Sequence, residues 1–336
     1  MHLTIKLLRS IGSPFGSHNV QYNRTSESRK LFECSRRNRM KLLFLEKTKD
    51  PQFKKEFRRE MKKYHDMLIS ISKISQIFAK QKIEYAVYKT IRPYRSATVD
   101  VDIIIFGGDE NYRHSYEILP RDYYKLIVQG PTSTTVIDKK TKIGIDLYQE
   151  IAVSNIIYID KNKLTNYVET IKIPTGITIK KLKPEADLLC VIAHSIIKEQ
   201  MYTLSEYYTF IHYAKKLDLD AFLKLAKQNN LLNAVRTHTT ITALLHNIAF
   251  GIVPQKLEEL LCCLGEDRFE ASRFVRKGLE TPYKYHIISV ARSLTEIIKG
   301  EKTRQSVAVQ LYRMLNPKFS KDFVSKMVNH IIRETY

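Results

Sequence analysis

The chain has 336 residues, with 56 Lys and Arg against 35 Asp and Glu, and its formal net charge at pH 7 is +21. Hydrophobic residues form 43% of the sequence, as in folded soluble proteins, and no apolar run approaches the roughly 18 residues that would span a membrane. The positive charge favours a nucleic-acid or nucleotide partner, and a lysine-rich solvated surface is the alternative. We therefore expect a cytoplasmic protein without a membrane partner.

Residues 1–39 are rich in Ser, Asn, Arg and Gly and show little hydrophobic periodicity. This composition predicts a disordered basic tail. A start of translation at Met40 is the alternative, because the sequence M-K-L-L-F-L begins a more structured segment there. We predict a catalytic domain with an N-terminal helix at residues 40–182 and a helical domain at residues 183–336.

A long amphipathic helix is predicted over residues 51–81, where apolar side chains recur every three or four positions. Such a helix usually turns its charged face to solvent, and contact with nucleic-acid phosphates is the alternative. The charged face consists of Lys54, Lys55, Arg58, Arg59, Lys62 and Lys63.

Residues 82–106 predict two apolar strands separated by a short basic turn. The second strand begins with Asp100 and Asp102, and alternate residues of a strand share a face. Both carboxylates therefore project together. This is costly at the head of a buried strand unless a positive charge lies between them. A divalent metal ion is the obvious candidate.

A third carboxylate, Asp146, lies in the sequence K-I-G-I-D-L-Y-Q-E, which predicts a strand that returns from a turn at residues 138–142. If this strand pairs beside that of Asp100 and Asp102, the three carboxylates converge. Hard oxygen donors suit Mg²⁺ or Mn²⁺, and two such ions can clamp the attacking and leaving oxygens of a phosphoryl transfer. Asp100 and Asp102 would then hold both ions, and Asp146 the ion beside the acceptor hydroxyl.

The turn before these carboxylates contains candidates for binding a nucleoside triphosphate. The charges of Lys89, Arg92 and Arg95 would hold the phosphates and offset the charge that builds on the leaving pyrophosphate. Thr90 offers a hydroxyl group beside them. From the second domain, Lys198 is a further candidate for contact with the triphosphate.

This arrangement resembles the DNA polymerase beta-like nucleotidyltransferase superfamily. Within it, the chain is most similar to uncharacterised prokaryotic proteins related to the nucleotidyltransferase toxins of toxin–antitoxin systems. The likeness covers roughly residues 60–250, and Lys89-Thr90 stands where the superfamily usually has two small residues. The matching positions are Lys89-Thr90 after the first strand, Asp100 and Asp102, Asp146, and the junction Leu182–Ser195 that leads into the helical domain.

The resemblance implies an α+β protein, with a small mixed-sheet nucleotidyltransferase domain followed by a mainly α-helical domain. It implies transfer of a nucleoside monophosphate from an NTP to a hydroxyl, with Mg²⁺ or Mn²⁺ bound at the three aspartates and pyrophosphate released. The basic charge favours RNA, including a tRNA 3′ end, as acceptor, and the resemblance makes an antitoxin partner plausible. The alternatives are a nucleic-acid-binding protein that has lost catalysis and an enzyme that transfers AMP to a protein.

Overall fold

The computed structural model describes residues 2–16 and 27–316. Strands are concentrated before residue 183, and helices dominate after it. Among the described residues, no helix has the length and apolar character needed to cross a membrane. In chain order the elements are α1 (Leu3–Ile11), α2 (Ser28–Arg37), α3 (Lys41–Thr48), α4 (Lys54–Lys80), β1 (Tyr85–Val87), β2 (Asp100–Ile105), α5 (Asp109–Glu117), β3 (Tyr124–Gln129), β4 (Ser133–Asp138), β5 (Gly144–Tyr148), β6 (Ile151–Val153), β7 (Ile156–Ile159), β8 (Val168–Lys172), β9 (Thr178–Leu182), α6 (Pro184–Ala193), β10 (Met201–Tyr202), α7 (Leu204–Ala214), α8 (Leu219–Gln228), α9 (Leu232–Phe250), α10 (Gln255–Leu264), α11 (Arg268–Arg276), β11 (Tyr283–Lys284), α12 (Ile287–Ile297) and α13 (Glu301–Met314).

Within the described part of the chain, seven strands form one mixed sheet in the order β3-β4-β5-β2-β1-β9-β8. Strands β2 and β5 run parallel, as do β1 and β9. The other neighbours in this sheet pair antiparallel. A mixed sheet followed by a helical region confirms the predicted α+β fold class.

The sheet separates two hydrophobic cores. On one face, side chains of α4 and α5 pack with Val101 and Ile103 of β2 and with Ile145 of β5. On the other face, Ile104 of β2 and Tyr148 of β5 join a core built largely from the helical region. Because alternate residues of a strand share a face, Asp100, Asp102 and Asp146 lie on the same side of the sheet as Ile104 and Tyr148, which is the side that faces the helical region.

The first helix belongs to the core of the helical region. Leu7 and Leu8 of α1 are completely buried. The Tyr208 hydroxyl of α7 donates a hydrogen bond to the Leu8 carbonyl oxygen at 3.3 Å, and Arg9 Nε donates to the carbonyl oxygen of Ala249 in α9 at 2.8 Å. Helix α1 is therefore fixed by partners some 200 or more residues away in sequence.

The prediction of a disordered tail over residues 1–39 is therefore wrong for residues 2–16 and 27–39. Composition suggested disorder because polar residues surround the few apolar ones, but those apolar residues lie on the buried sides of two helices. Residue 1 and residues 17–26 lie outside the described residues.

Replacement of a buried leucine in α1 should destabilise the whole protein. Leu8→Ala leaves a cavity in the core, and we expect a loss of about 2–5 kcal/mol in the free energy of unfolding, measured by urea denaturation. Ile69→Ala on α4 is the control, because that side chain is 39% exposed. An unchanged free energy for Leu8→Ala would mean that α1 does not pack in the core.

Candidate active site

The turn between β1 and β2 holds the backbone of Asp102 from two sides. The Asp102 amide donates to the Thr90 hydroxyl oxygen at 2.9 Å, and its carbonyl oxygen accepts from the Tyr88 amide at 3.1 Å. Thr90 is 1% exposed, and its hydroxyl also donates to the Tyr88 carbonyl oxygen at 3.2 Å. In this structure the Thr90 hydroxyl therefore positions Asp102 instead of facing a nucleotide.

The pairing of β2 with β5 brings the predicted aspartates together. Asp102 lies directly opposite Asp146 in the parallel ladder, where neighbouring strands are about 4.8 Å apart. Asp100 shares their face of the sheet one pleat away. Thr135 of β4 donates to Asp146 Oδ1 at 2.5 Å. Burial raises the pKa of the Tyr148 hydroxyl, and the charges of Asp102 and Asp146 raise it further. The three carboxylates thus form one cluster.

The electrostatics of this cluster show a shortage of positive charge. Burial, together with the charges of Asp102 and Asp146, raises the pKa of Asp100 to about 6. Burial also raises the pKa of Asp146, although the hydrogen bond from Thr135 opposes that effect. Like charges this close disfavour ionisation, so the cluster favours a cation.

Lys89 forms an ion pair with this cluster. Its Nζ lies 3.5 Å from Asp102 Oδ2 and 4.6 Å from the centre of the Tyr88 ring. Its backbone has a φ of +57°, and its amide donates to Asp187 Oδ1 at 2.6 Å. Asp187 Oδ2 accepts from the Tyr213 hydroxyl at 2.8 Å. The left-handed conformation is the one that glycine adopts most easily, so Lys89 stands at a backbone position that would suit glycine.

Arg92 and Arg95, the other predicted phosphate-binding residues of the turn, line a cleft together with Lys89 and the three aspartates. Arg92 Nη1 donates to the Thr209 hydroxyl at 3.2 Å, which ties the turn to α7. Arg95 Nη1 lies 3.0 Å from Glu46 Oε1 of α3, and about half of the Arg95 side chain is exposed. Both guanidinium groups therefore border the cleft while bound to its walls.

A π-helical turn at His194–Lys198 extends α6 towards the carboxylates. The Glu199 amide donates to the His194 carbonyl oxygen at 2.9 Å, five residues back along the chain. Such turns change which side chains face a cleft, and here both His194 and Lys198 line it. Burial lowers the pKa of Lys198, and the charge of Lys89 lowers it further, whereas Asp102 raises it.

A cleft of about 590 Å³ lies between the carboxylates and the helical region. This volume is typical of sites that bind small molecules. One wall comes from the α2–α3 junction, which was predicted to lie at the end of a disordered tail. The basic residues that line the cleft are Arg36, Arg39, Lys41, Lys63, Lys89, Arg92, Arg95 and Lys198.

The chemistry of the three carboxylates fits a hard divalent cation, because they offer oxygen donors whose mutual repulsion a cation would relieve. Within residues 2–16 and 27–316, however, no three His, Cys, Asp or Glu side chains have the spacing of a formed metal site. The Lys89 ammonium instead lies against Asp102.

Asp187 and Arg39 are among the residues of this site that the sequence analysis missed. Asp187 anchors the Lys89 backbone. Arg39 lines the cleft, and its Nη2 lies 3.8 Å from Glu199 Oε2. The sequence could have indicated a role for Asp187, because an acidic residue directly before the apolar run L-L-C-V-I-A needs a buried partner. No sequence feature indicated a role for Arg39, since its position depends on the packing of α2.

No protein family model matches the chain, and no curated protein matches its sequence. Among solved structures, the chain is similar to an antigenic nucleotidyltransferase-like protein from Paracoccidioides brasiliensis, with 15% identity and a TM-score of 0.31 over 62% of this chain and 91% of the other. It is also similar to a CCA-adding enzyme in complex with ATP, with 12% identity and a TM-score of 0.23 over 74% of this chain and 83% of the other. Both TM-scores are below 0.5, so we base the functional proposal on the site geometry.

The raised pKa of Asp100 predicts a pH-dependent loss of stability when metal is removed by a chelator. The folded protein holds this proton more tightly than the unfolded chain, so folding loses free energy as the pH rises from about 4 through about 6. We expect Asp100→Asn to be more stable than the wild type at pH 7, and this advantage to shrink at pH 4, in urea denaturation with EDTA. An advantage that does not change with pH would contradict the raised pKa.

Proposed function

We propose that the protein is a cytoplasmic, metal-dependent nucleotidyltransferase that transfers a nucleoside monophosphate from an NTP to a hydroxyl group and releases pyrophosphate. The observation that supports this most directly is the parallel, in-register pairing of β2 with β5. It sets Asp102 beside Asp146 and leaves Asp100 on the same face, at the edge of a cleft.

Asp100, Asp102 and Asp146 are the residues that would hold Mg²⁺ or Mn²⁺. When bound, such ions neutralise phosphate charge and lower the pKa of a hydroxyl nucleophile. The chain itself supports the ligand positions, because Thr135 holds the Asp146 carboxylate and the Thr90 hydroxyl holds the backbone of Asp102. Such supports keep the ligands in place before the substrate arrives.

The triphosphate is expected to bind along the basic side of the cleft. Arg92 and Arg95 approach from the turn, and Lys198 approaches from the helical region. Their charges would balance the phosphates and the charge that develops on the leaving pyrophosphate. Because the two sides belong to different parts of the fold, the cleft holds the triphosphate only when the helical region is packed against the sheet.

The acceptor that we favour is RNA, including a tRNA 3′ end. Arg36, Arg39 and Lys41 of the α2–α3 junction and Lys63 of α4 add a basic wall beside the carboxylates. A polyanion gains affinity from such a wall by releasing its counterions. A role as a toxin with an antitoxin partner rests on the sequence resemblance alone.

Removal of two carboxylates should abolish transfer. We expect Asp100→Asn combined with Asp102→Asn to lower the transfer of label from a nucleotide to RNA by at least about a hundredfold, because even supporting residues around metal ligands are worth 10–100-fold. The assay follows each α-³²P-labelled NTP with Mg²⁺ and total RNA. The matched control is Glu110→Gln with Asp122→Asn, two exposed carboxylates that do not line the cleft.

The destination of the label separates the proposal from its alternatives. Label on RNA supports the proposed acceptor, and label on protein in a cell extract instead supports AMP transfer to a protein. Retained labelling in the double variant would refute the metal-ligand assignment. Absence of label with every NTP, together with salt-sensitive RNA binding, would favour the nucleic-acid-binding alternative.

The wall at the α2–α3 junction should contribute to RNA affinity. Arg36→Gln with Arg39→Gln removes two charges that line the cleft. In a plot of the logarithm of the RNA-binding constant against the logarithm of the salt concentration, each phosphate contact with a single strand contributes about −0.7 to the slope. We therefore expect the slope to become less negative by about 1.4 when both contacts are lost. Lys54→Gln with Lys55→Gln removes the same charge from the exposed face of α4. An equal effect of both pairs would mean that RNA is attracted only by net charge.

A further inference from the structure

The Lys89 ammonium is fixed against the carboxylate cluster from both ends of the residue. At the backbone, its amide donates to the buried Asp187 carboxylate at 2.6 Å. At the tip, Nζ lies 3.5 Å from Asp102 Oδ2, and the rings of Tyr88 and Tyr148 lie 4.6 and 5.7 Å away. Only 6% of the residue is exposed. Solvent therefore screens this ion pair far less than a surface pair.

The backbone at Lys89 has a left-handed conformation, which Lys49, Lys82 and Lys142 also have. A φ of +57° places Cβ in an unfavourable position, and glycine adopts this conformation without that cost. Glycine would keep the amide that donates to Asp187. Glycine would, however, lack the side chain whose ammonium forms the ion pair with Asp102.

We propose that the Lys89 ammonium is a built-in countercharge that competes with a divalent cation for the Asp102 carboxylate. A cation approaching Asp102 meets the positive charge of Lys89 and must displace it. The protein without nucleotide therefore binds divalent metal weakly. An incoming triphosphate offers Lys89 other oxygens, so nucleotide binding makes Asp102 available. This inference rests on the proposed metal-binding role of the carboxylates.

The geometry of the cluster agrees with this competition. Asp102 and Asp146 face each other in the ladder, yet in the described residues their carboxylates and that of Asp100 do not form a metal site. Lys89 and Asp102 both line the cleft, and the ammonium lies 3.5 Å from Asp102 Oδ2. Loss of its charge leaves three carboxylates with one fewer cation and so increases their attraction for metal.

The test measures binding of Mn²⁺ alone to the full-length protein, without nucleotide, by electron paramagnetic resonance of free Mn²⁺. We expect Lys89→Met to bind Mn²⁺ at least about tenfold more tightly than the wild type, because a unit charge within about 4 Å is removed. Lys89→Arg keeps the charge and should bind Mn²⁺ as the wild type does. Lys89→Gln repeats the neutral substitution with a polar side chain, in case Met disturbs folding.

Equal or weaker Mn²⁺ binding by folded Lys89→Met or Lys89→Gln would overturn the inference. The addition of Asp146→Asn to the neutral variant separates this failure from that of the proposed function. Binding that depends on Asp146 but not on the charge of residue 89 would leave the metal site in place and refute only the competition. Binding that is insensitive to Asp146 would refute the carboxylate site itself, and the competition with it.

Discussion

The repulsion among three carboxylates on one face of a sheet is the constraint on which the rest of the site depends. The register of β2 and β5 forces Asp102 and Asp146 together, and burial keeps water from screening them. The surrounding residues compensate for this. Thr135 donates a hydrogen bond, and Lys89 and Lys198 supply positive charge. A cluster that is still short of positive charge is suited to bind a cation together with its substrate.

The helical region completes the site as well as covering it. Asp187, in the first turn of α6, holds the backbone of Lys89, and the π-helical turn that follows α6 directs Lys198 into the cleft. The N-terminal helices add the opposite wall and are themselves packed against α7 and α9. Damage to this packing would therefore alter the site even where no cleft residue changes. The sheet alone provides the carboxylates but neither anchors Lys89 nor encloses a nucleotide.

The sequence predicted the parts of the site that follow from local periodicity. The alternation of Asp100, Val101 and Asp102 sufficed to place two carboxylates on one face. The proximity of Asp146 could be stated only as a condition, because periodicity does not determine which strands are neighbours. The segment from Met40 was expected to be structured, but the α2 side of the wall at the α2–α3 junction was missed. The end of α2 is held by contacts distant in sequence, and a composition rich in Ser and Arg concealed its short apolar face.

The conformation of Lys89 shows a different limit. From the sequence, Lys89 was only a candidate for binding phosphates, whereas the structure shows its backbone in the left-handed conformation. Propensity argues against that conformation for lysine, and only the tertiary contact with Asp187 explains it. The same contact explains an acidic residue inside an apolar helix. Lys89 is unusual in its turn and Asp187 is unusual in its apolar helix, and the hydrogen bond between them explains why both are present.

The most direct test of the central claim is a crystal structure with Mn²⁺ and a non-hydrolysable NTP analogue. Anomalous scattering then locates the metal without any assumption about activity. The carboxylate site predicts an anomalous peak within about 2.0–2.6 Å of oxygens from Asp102 and from Asp100 or Asp146, with the triphosphate directed towards Lys198. A nucleotide bound in the cleft with no metal at these aspartates, or with the metal elsewhere on the chain, would contradict it.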